Sequence, residues 1–174
     1  TWRLRALAPE EQAGPHCVQR HPATAFSPVA VTPDELGGAW DQGRVRLTLQ
    51  STWNGRKLGL CDAGADMQTH FGQLIAHLCR TRHVRAGTLV GSGTVGSTAV
   101  VAEGRSDWPG GCHSIAEKRA METLQSGQPV SGFLRYGDTV RIEMKGRDGQ
   151  SVFDAIEQDV EAAGLDQQAD TRGH

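Results

Sequence analysis

Arg44-Val45-Arg46-Leu47-Thr48-Leu49-Gln50, followed by Trp53-Asn54-Gly55-Arg56, is the stretch that sets the fold class. Polar and apolar residues alternate over 44–50, the period-two pattern of a strand with one buried face. Asn54-Gly55 then supplies the two turn positions of a tight hairpin that require positive φ. A returning strand is expected through Lys57-Leu58-Gly59. A second hairpin is expected from Asp138–Lys145 and Ser151–Ile156, closing over Gly146-Arg147-Asp148-Gly149. Strands that arrive as hairpins define an α+β, mostly β fold with antiparallel pairing, not an alternating βαβ sheet.

Two helices decorate this pattern. Phe71, Leu74, Ile75, Leu78 and Cys79 recur at helical spacing and predict a helix over 70–81. Ser114-Ile115-Ala116-Glu117 has the S-x-x-E spacing of a capping box, and a helix is predicted from there to about Gln125, stopped by Gly127. Between them, Thr88-Leu89-Val90 reads as a buried strand running into Gly91-Ser92-Gly93-Thr94. The Gly-, Ser- and Pro-rich stretch from Gly96 to Gly111 reads as a long loop of the kind that carries function. Phe26–Thr32 is a short apolar run split by Pro28 and closed by the turn Thr32-Pro33-Asp34. Residues 1–22 are punctuated by Pro and Gly and read as irregular, with one helical turn at Pro9-Glu10-Glu11. Residues 161–174 read as a polar tail.

A chain of 174 residues fits one domain. Its formal charge of −2 is spread among interspersed acids and bases, which argues against nucleic acid or an anionic membrane as a partner. No apolar run approaches the roughly 20 residues of a membrane helix and nothing resembles a signal peptide, so a cytoplasmic location is expected. Cys17, Cys61, Cys79 and Cys112 lack the close pairing of a zinc site, and free thiols are expected.

Gly91-Ser92-Gly93-Thr94-Val95-Gly96 satisfies G-x-G-x-x-G. The residues after it are β-branched, however, and present no helix N-terminus to a pyrophosphate. Glu117 has two readings, as the reciprocal partner in a helix cap or as a catalytic carboxylate beside a functional loop. Among the histidines, His113 alone sits where a pocket is expected. The chain contains no E-x-E or D-x-D pair and no G-x-S-x-G elbow.

Five segments, in order, resemble the fumarylacetoacetate hydrolase family: His21 through Ala25-Phe26-Ser27-Pro28 to Leu36, Gly72–His77, Ala86–Thr94, Ser114–Ala120 and Tyr136–Met144. The resemblance runs over residues 1–160, as a partial catalytic domain corresponding to the family's later half, and the insert before Ser114 looks like its bacterial fumarylacetoacetase-like branch. It implies a mixed β-sandwich roll, a homodimer or a complementary N-terminal half, and a Mg²⁺ or Ca²⁺ ion. The implied reaction is hydrolysis of a C–C bond in a 1,3-diketo acid of the fumarylacetoacetate or acylpyruvate type. Decarboxylases and isomerases share the scaffold. Glu117 takes the place of the family's dyad carboxylate, and Thr94, after Gly93, that of a substrate-binding hydroxyl. Arg5 matches the Arg of the N-D-x-S-x-R segment, and His21 stands where the family has a Lys. The E-x-E metal ligands, the first metal Asp and the dyad His would lie upstream, so no metal ligand is assigned in this sequence. The alternative reading is a divergent, metal-free relative that serves as a binding or assembly subunit.

Overall fold

The computed structural model describes residues 2–4, 9, 21–102 and 105–162. Arg5, Cys17 and nearly all of the helical turn at Pro9-Glu10-Glu11 lie outside these residues, as does most of the polar tail. The fold is mostly sheet with two helices, the α+β class expected from the hairpin pattern.

Its centre is a four-stranded antiparallel sheet in the order β4-β3-β7-β8, where β3 is Thr48–Trp53, β4 Arg56–Asp62, β7 Thr139–Lys145 and β8 Ile156–Asp159. The β3–β4 hairpin turns at Asn54 and Gly55, with φ of 49° and 72°, as the two-residue turn requires. The alternating stretch does not form one strand, however. Arg44–Val45 is a short strand β2 paired with β1 (Trp40–Asp41) across a second positive-φ turn at Gln42-Gly43. Leu47, between β2 and β3, is buried, and its carbonyl accepts the Ala63 N–H at 2.9 Å.

The second predicted hairpin also forms, with its return strand displaced to Ile156–Asp159. Ser151 makes a single bridge to Lys145, after which Asp154 adopts φ 62° and its carboxylate accepts the Ala155 N–H. That local turn interrupts pairing until Ile156 meets Ile142.

Helix α1 is Phe71–Cys79 and helix α2 is Ile115–Ser126. Gly127, at φ 84°, ends α2 by directing its N–H to the Thr123 carbonyl. Two expectations fail between the helices. Thr88-Leu89-Val90 forms no strand and Leu89 is 73% exposed, because a turn closed by Thr88 N–H to the Arg85 carbonyl precedes it and no neighbouring strand pairs with it. The stretch from Gly96 to Gly111 is not all loop, since β5 (Val100–Ala102) and β6 (Arg105–Asp107) pair within it. The β-branched Val100 and Val101 favour that extended form.

Ala39, Leu47, Ser51, Gly59, Gly64 and Cys112 are the buried residues among those described. Three of these six, Ser51, Gly59 and Cys112, lie where the loop before α2 crosses the sheet, and that crossing holds the site.

Candidate active site

Strand alternation builds the floor. Ser51 on β3 pairs with Gly59 on β4, and Cys61 stands two residues further along β4 on the same face. Gly59 carries no side chain into that space. A Cβ there would collide with the Cys112 carbonyl and come within 2.9 Å of His113 Cε1. The missing methyl lets the Gly110–Ser114 segment lie directly across the strand. Leu60 N–H donates to the Gly110 carbonyl at 2.8 Å, and Cys112 N–H to the Leu58 carbonyl at 3.3 Å.

His113 rests on this floor between two side chains. Its Nδ1 is 2.8 Å from Ser51 Oγ and its Nε2 is 3.3 Å from Cys61 Sγ. Burial pushes its pKa below the usual histidine value, so the ring is held neutral. Either neutral tautomer satisfies both contacts: the hydroxyl donates to Nδ1 while Nε2–H faces sulfur, or Nδ1–H donates to the hydroxyl while the thiol donates to Nε2. The trio has the residue types of a nucleophile–base pair but not the properties. Ser51 is 2% exposed, out of reach of a substrate. The Cys61 thiol is pushed up by burial and by the nearby Asp66 and Asp62 carboxylates, which keeps it protonated and weakly nucleophilic.

Glu117 sits in the first turn of α2. The capping box read from S-x-x-E does not form, because Ser114 makes no side-chain cap hydrogen bond. The Ser114 carbonyl instead accepts from Lys118 N–H at 3.0 Å and from Cys112 Sγ–H at 3.4 Å. Glu117 Oε2 is buried without a hydrogen-bond partner, and desolvation raises the pKa of the carboxyl. A buried polar atom with no partner costs about 1–3 kcal/mol and calls for a reason. Burial is also the main cause that pushes up the adjacent Cys112 thiol, with the Glu117 charge contributing.

Further along α2, Glu122 is tied down completely. Its carboxylate accepts the Val130 N–H at 2.8 Å, the Ser131 N–H at 2.7 Å and the Ser131 hydroxyl at 2.6 Å, with Lys118 Nζ at 3.3 Å. Burial opposes its ionisation, but these donors outweigh it and hold its pKa down to about 2. Arg119 adds a hydrogen bond to the Ser131 carbonyl and stacks its guanidinium 4.3 Å over Phe133. Glu122 thus anchors the segment after the helix, a role its spacing alone does not signal.

The other residues assigned from the resemblance fall at differing distances from this centre. Gly93, at φ 89°, and Thr94 are exposed. Their loop reaches the site just beyond them, where Gly96 bridges to Cys112 and Ser97 Oγ donates to the Gly111 carbonyl at 3.1 Å. No hydrogen bond or ion pair among the described residues joins Thr94 to Glu117. Strand β5 follows Gly96, so the glycine motif leads into a sheet and not a helix. His21 is exposed, and Arg5 lies outside the described residues.

Among the described residues, no group of three or more His, Cys, Asp or Glu side chains is placed to hold a metal ion. Asp62 and Asp66, beside Cys61, are committed to protein donors: Asp62 to Arg46 and the Gly64 N–H, Asp66 to the Thr98 N–H. Mg²⁺ and Ca²⁺ require about six oxygen ligands, which these side chains alone do not supply. Cys61, Cys79 and Cys112 are free thiols, and no helix among the described residues is long and apolar enough to cross a membrane.

An antiparallel β scaffold here places a carboxylate with one buried, unpartnered oxygen at a helix start, close to a glycine-rich loop. The chain matches the fumarylacetoacetate (FAA) hydrolase C-terminal family over residues 2–159 and belongs to that family, which carries a hydrolase or isomerase function. No curated protein matches it in sequence.

Proposed function

We propose that the chain serves in hydrolysis of a C–C bond in a 1,3-diketo acid of the fumarylacetoacetate or acylpyruvate type, with Glu117 as the carboxylate that takes the proton from the attacking water. The observation that carries this reading is Glu117 Oε2, buried and unpartnered at the start of a helix it does not cap. A carboxylate whose pKa is raised by desolvation is a stronger base when ionised than one in water. Water loses a proton to Glu117, directly or through an imidazole hydrogen-bonded to it. The resulting hydroxide adds to a keto carbon, and the C–C bond then breaks with its electron pair moving into an enolate. A proton returned to the enolate carbon leaves a carboxylic acid and a shorter ketone or keto acid. A Mg²⁺ or Ca²⁺ ion, as the family resemblance implies, would supply charge stabilisation for the enolate, and the described side chains by themselves form no site for it.

The test is turnover of an acylpyruvate by the full protein, with and without Glu117→Gln. A loss of about 10²–10⁴-fold is expected, the usual contribution of a positioned general base. Undiminished turnover in the variant would sink the assignment. Saturable binding of the diketo acid with no turnover in either protein would favour the binding-subunit reading.

Leu89, Val100, Val101, Leu124, Val130 and Tyr136 are all more than half exposed. We propose that a second copy of the chain covers this apolar surface. Light scattering should report a dimer, and a clean monomer at micromolar concentration would contradict it.

A further inference from the structure

Helix α2 has little of its own to hold it in place. It buries no side chain fully and makes no side-chain cap bond, and β6 is the named element it packs on most. Two of its charged side chains, Glu122 and Arg119, tie it to residues 130 and 131, which follow it in the chain, and Gln125 donates to the Ser106 carbonyl on β6 rather than to the four-stranded sheet. The sheet grips the helix start through the Gly110–Ser114 segment. In that grip two contacts are backbone hydrogen bonds to β4, and one is a side chain reaching two neighbouring strands: His113, to Ser51 on β3 and Cys61 on the edge strand β4.

We infer that His113 is a positioning residue, whose ring, wedged over Gly59 between Ser51 and Cys61, fixes the start of α2 on the sheet and so fixes where the Glu117 carboxylate sits. The inference rests on the proposed role of Glu117 for its catalytic consequence but not for its geometry. His113 immediately precedes the N-cap Ser114, and Glu117 lies in the first helical turn, so a displaced ring carries that turn with it. A turn of α-helix advances about 5 Å, and a misplacement of about 1 Å at a reacting group can cost on the order of 10²-fold in rate. The Ser51 contact is the stronger tie. It is the shorter, it involves an oxygen, and Ser51 is 2% exposed in the central strand, whereas Cys61 offers a long sulfur contact near the edge.

Asparagine places a polar atom where Nδ1 stands, and glutamine places one where Nε2 stands, which separates the two ties. In the full protein, His113→Asn should keep kcat within about threefold, whereas His113→Gln, His113→Ala and Ser51→Ala should each lower kcat by roughly 10- to 100-fold with KM moving less than about threefold. A second readout does not depend on turnover. The carbon-13 titration of the Glu117 carboxyl should move toward the ordinary carboxylate range in Ser51→Ala and stay at its raised position in His113→Asn. Should His113→Ala not fold, Ser51→Ala and His113→Asn carry the test. An unmoved Glu117 titration and unmoved kcat in Ser51→Ala, or His113→Asn as impaired as His113→Gln, would overturn the inference. A titration that shifts as described in a protein whose turnover ignores Glu117→Gln would uphold the positioning and overturn the proposed function.

Discussion

The two helices begin in opposite ways, and α2 does not begin as its S-x-x-E spacing suggests. Ser114-Ile115-Ala116-Glu117 has the spacing of a capping box and forms none, while His70, an unusual N-cap, forms a complete one. At α1 the Gln73 N–H donates to His70 Nδ1 at 3.3 Å, and Gln73 Oε1 accepts the His70 N–H at 3.0 Å. At α2 the Ser114 side chain makes no cap bond and Glu117 leaves one oxygen buried and unpartnered. A capping box satisfies two orphan amides at the cost of two side chains. Helix α1 commits its side chains that way, whereas α2 withholds the carboxylate. The contrast separates a helix start built for stability from one that gives up stability to keep a charged group uncommitted.

The sharpest way to break that contrast is to neutralise the withheld group. Glu117→Gln should abolish most turnover and yet raise Tm by a few degrees at neutral pH, since it removes a buried charge with no partner. The sign follows from the raised pKa. The folded form holds its proton more tightly than the unfolded chain, so ionising Glu117 costs stability as pH rises above the ordinary carboxylate range, and the benefit of the variant fades at pH below it. By the same shift, the acid limb of the wild-type rate profile should lie above that range. A wild-type protein that loses stability on Glu117→Gln would mean the carboxylate has a structural partner after all.

Gly59→Ala tests the floor beneath α2. The added methyl collides with the Cys112 carbonyl, a backbone atom that cannot swing aside, so a loss of about 2–4 kcal/mol and of most activity is expected by thermal melting and assay. A variant that melts like the wild type would show that the crossing segment does not hold the sheet as described. The smallest effects compare the caps directly. His70→Ala should cost about 1 kcal/mol, and Ser114→Ala no more than about 0.5 kcal/mol. Equal costs by denaturant titration would erase the difference between the two helix starts.

Much of the fold was legible because it rests on local chemistry. The turn at Asn54-Gly55 forms since both positions sit at positive φ, and α2 stops at Gly127 for the same reason. The apolar spacing from Phe71 to Cys79 places α1 within a residue or two of its observed ends. Thr88-Leu89-Val90 misled because an apolar run becomes a strand only when another strand pairs with it, and none among the described residues does. Glu117 was legible as a position and not as a state. Whether its carboxylate caps the helix or lies buried depends on what the Gly110–Ser114 segment meets.

That meeting turns on a single register shift. Counting outward from the Asn54-Gly55 turn, Trp53 pairs with Arg56 and Thr52 with Lys57, so an unbroken ladder would set Ser51 against Leu58. The irregularity between Ser51 and Thr52 moves the pairing on by one residue, which turns Gly59 and Cys61, not Leu58 and Leu60, onto the face of Ser51. The sequence by itself determined the Asn54-Gly55 hairpin, the two helices and the family, because dihedral preference and hydrophobic period act between near neighbours. The pinned imidazole and the unpartnered carboxylate were decided only in the tertiary structure, because a side-chain period of two converts one extra residue in one strand into a different set of groups facing the site.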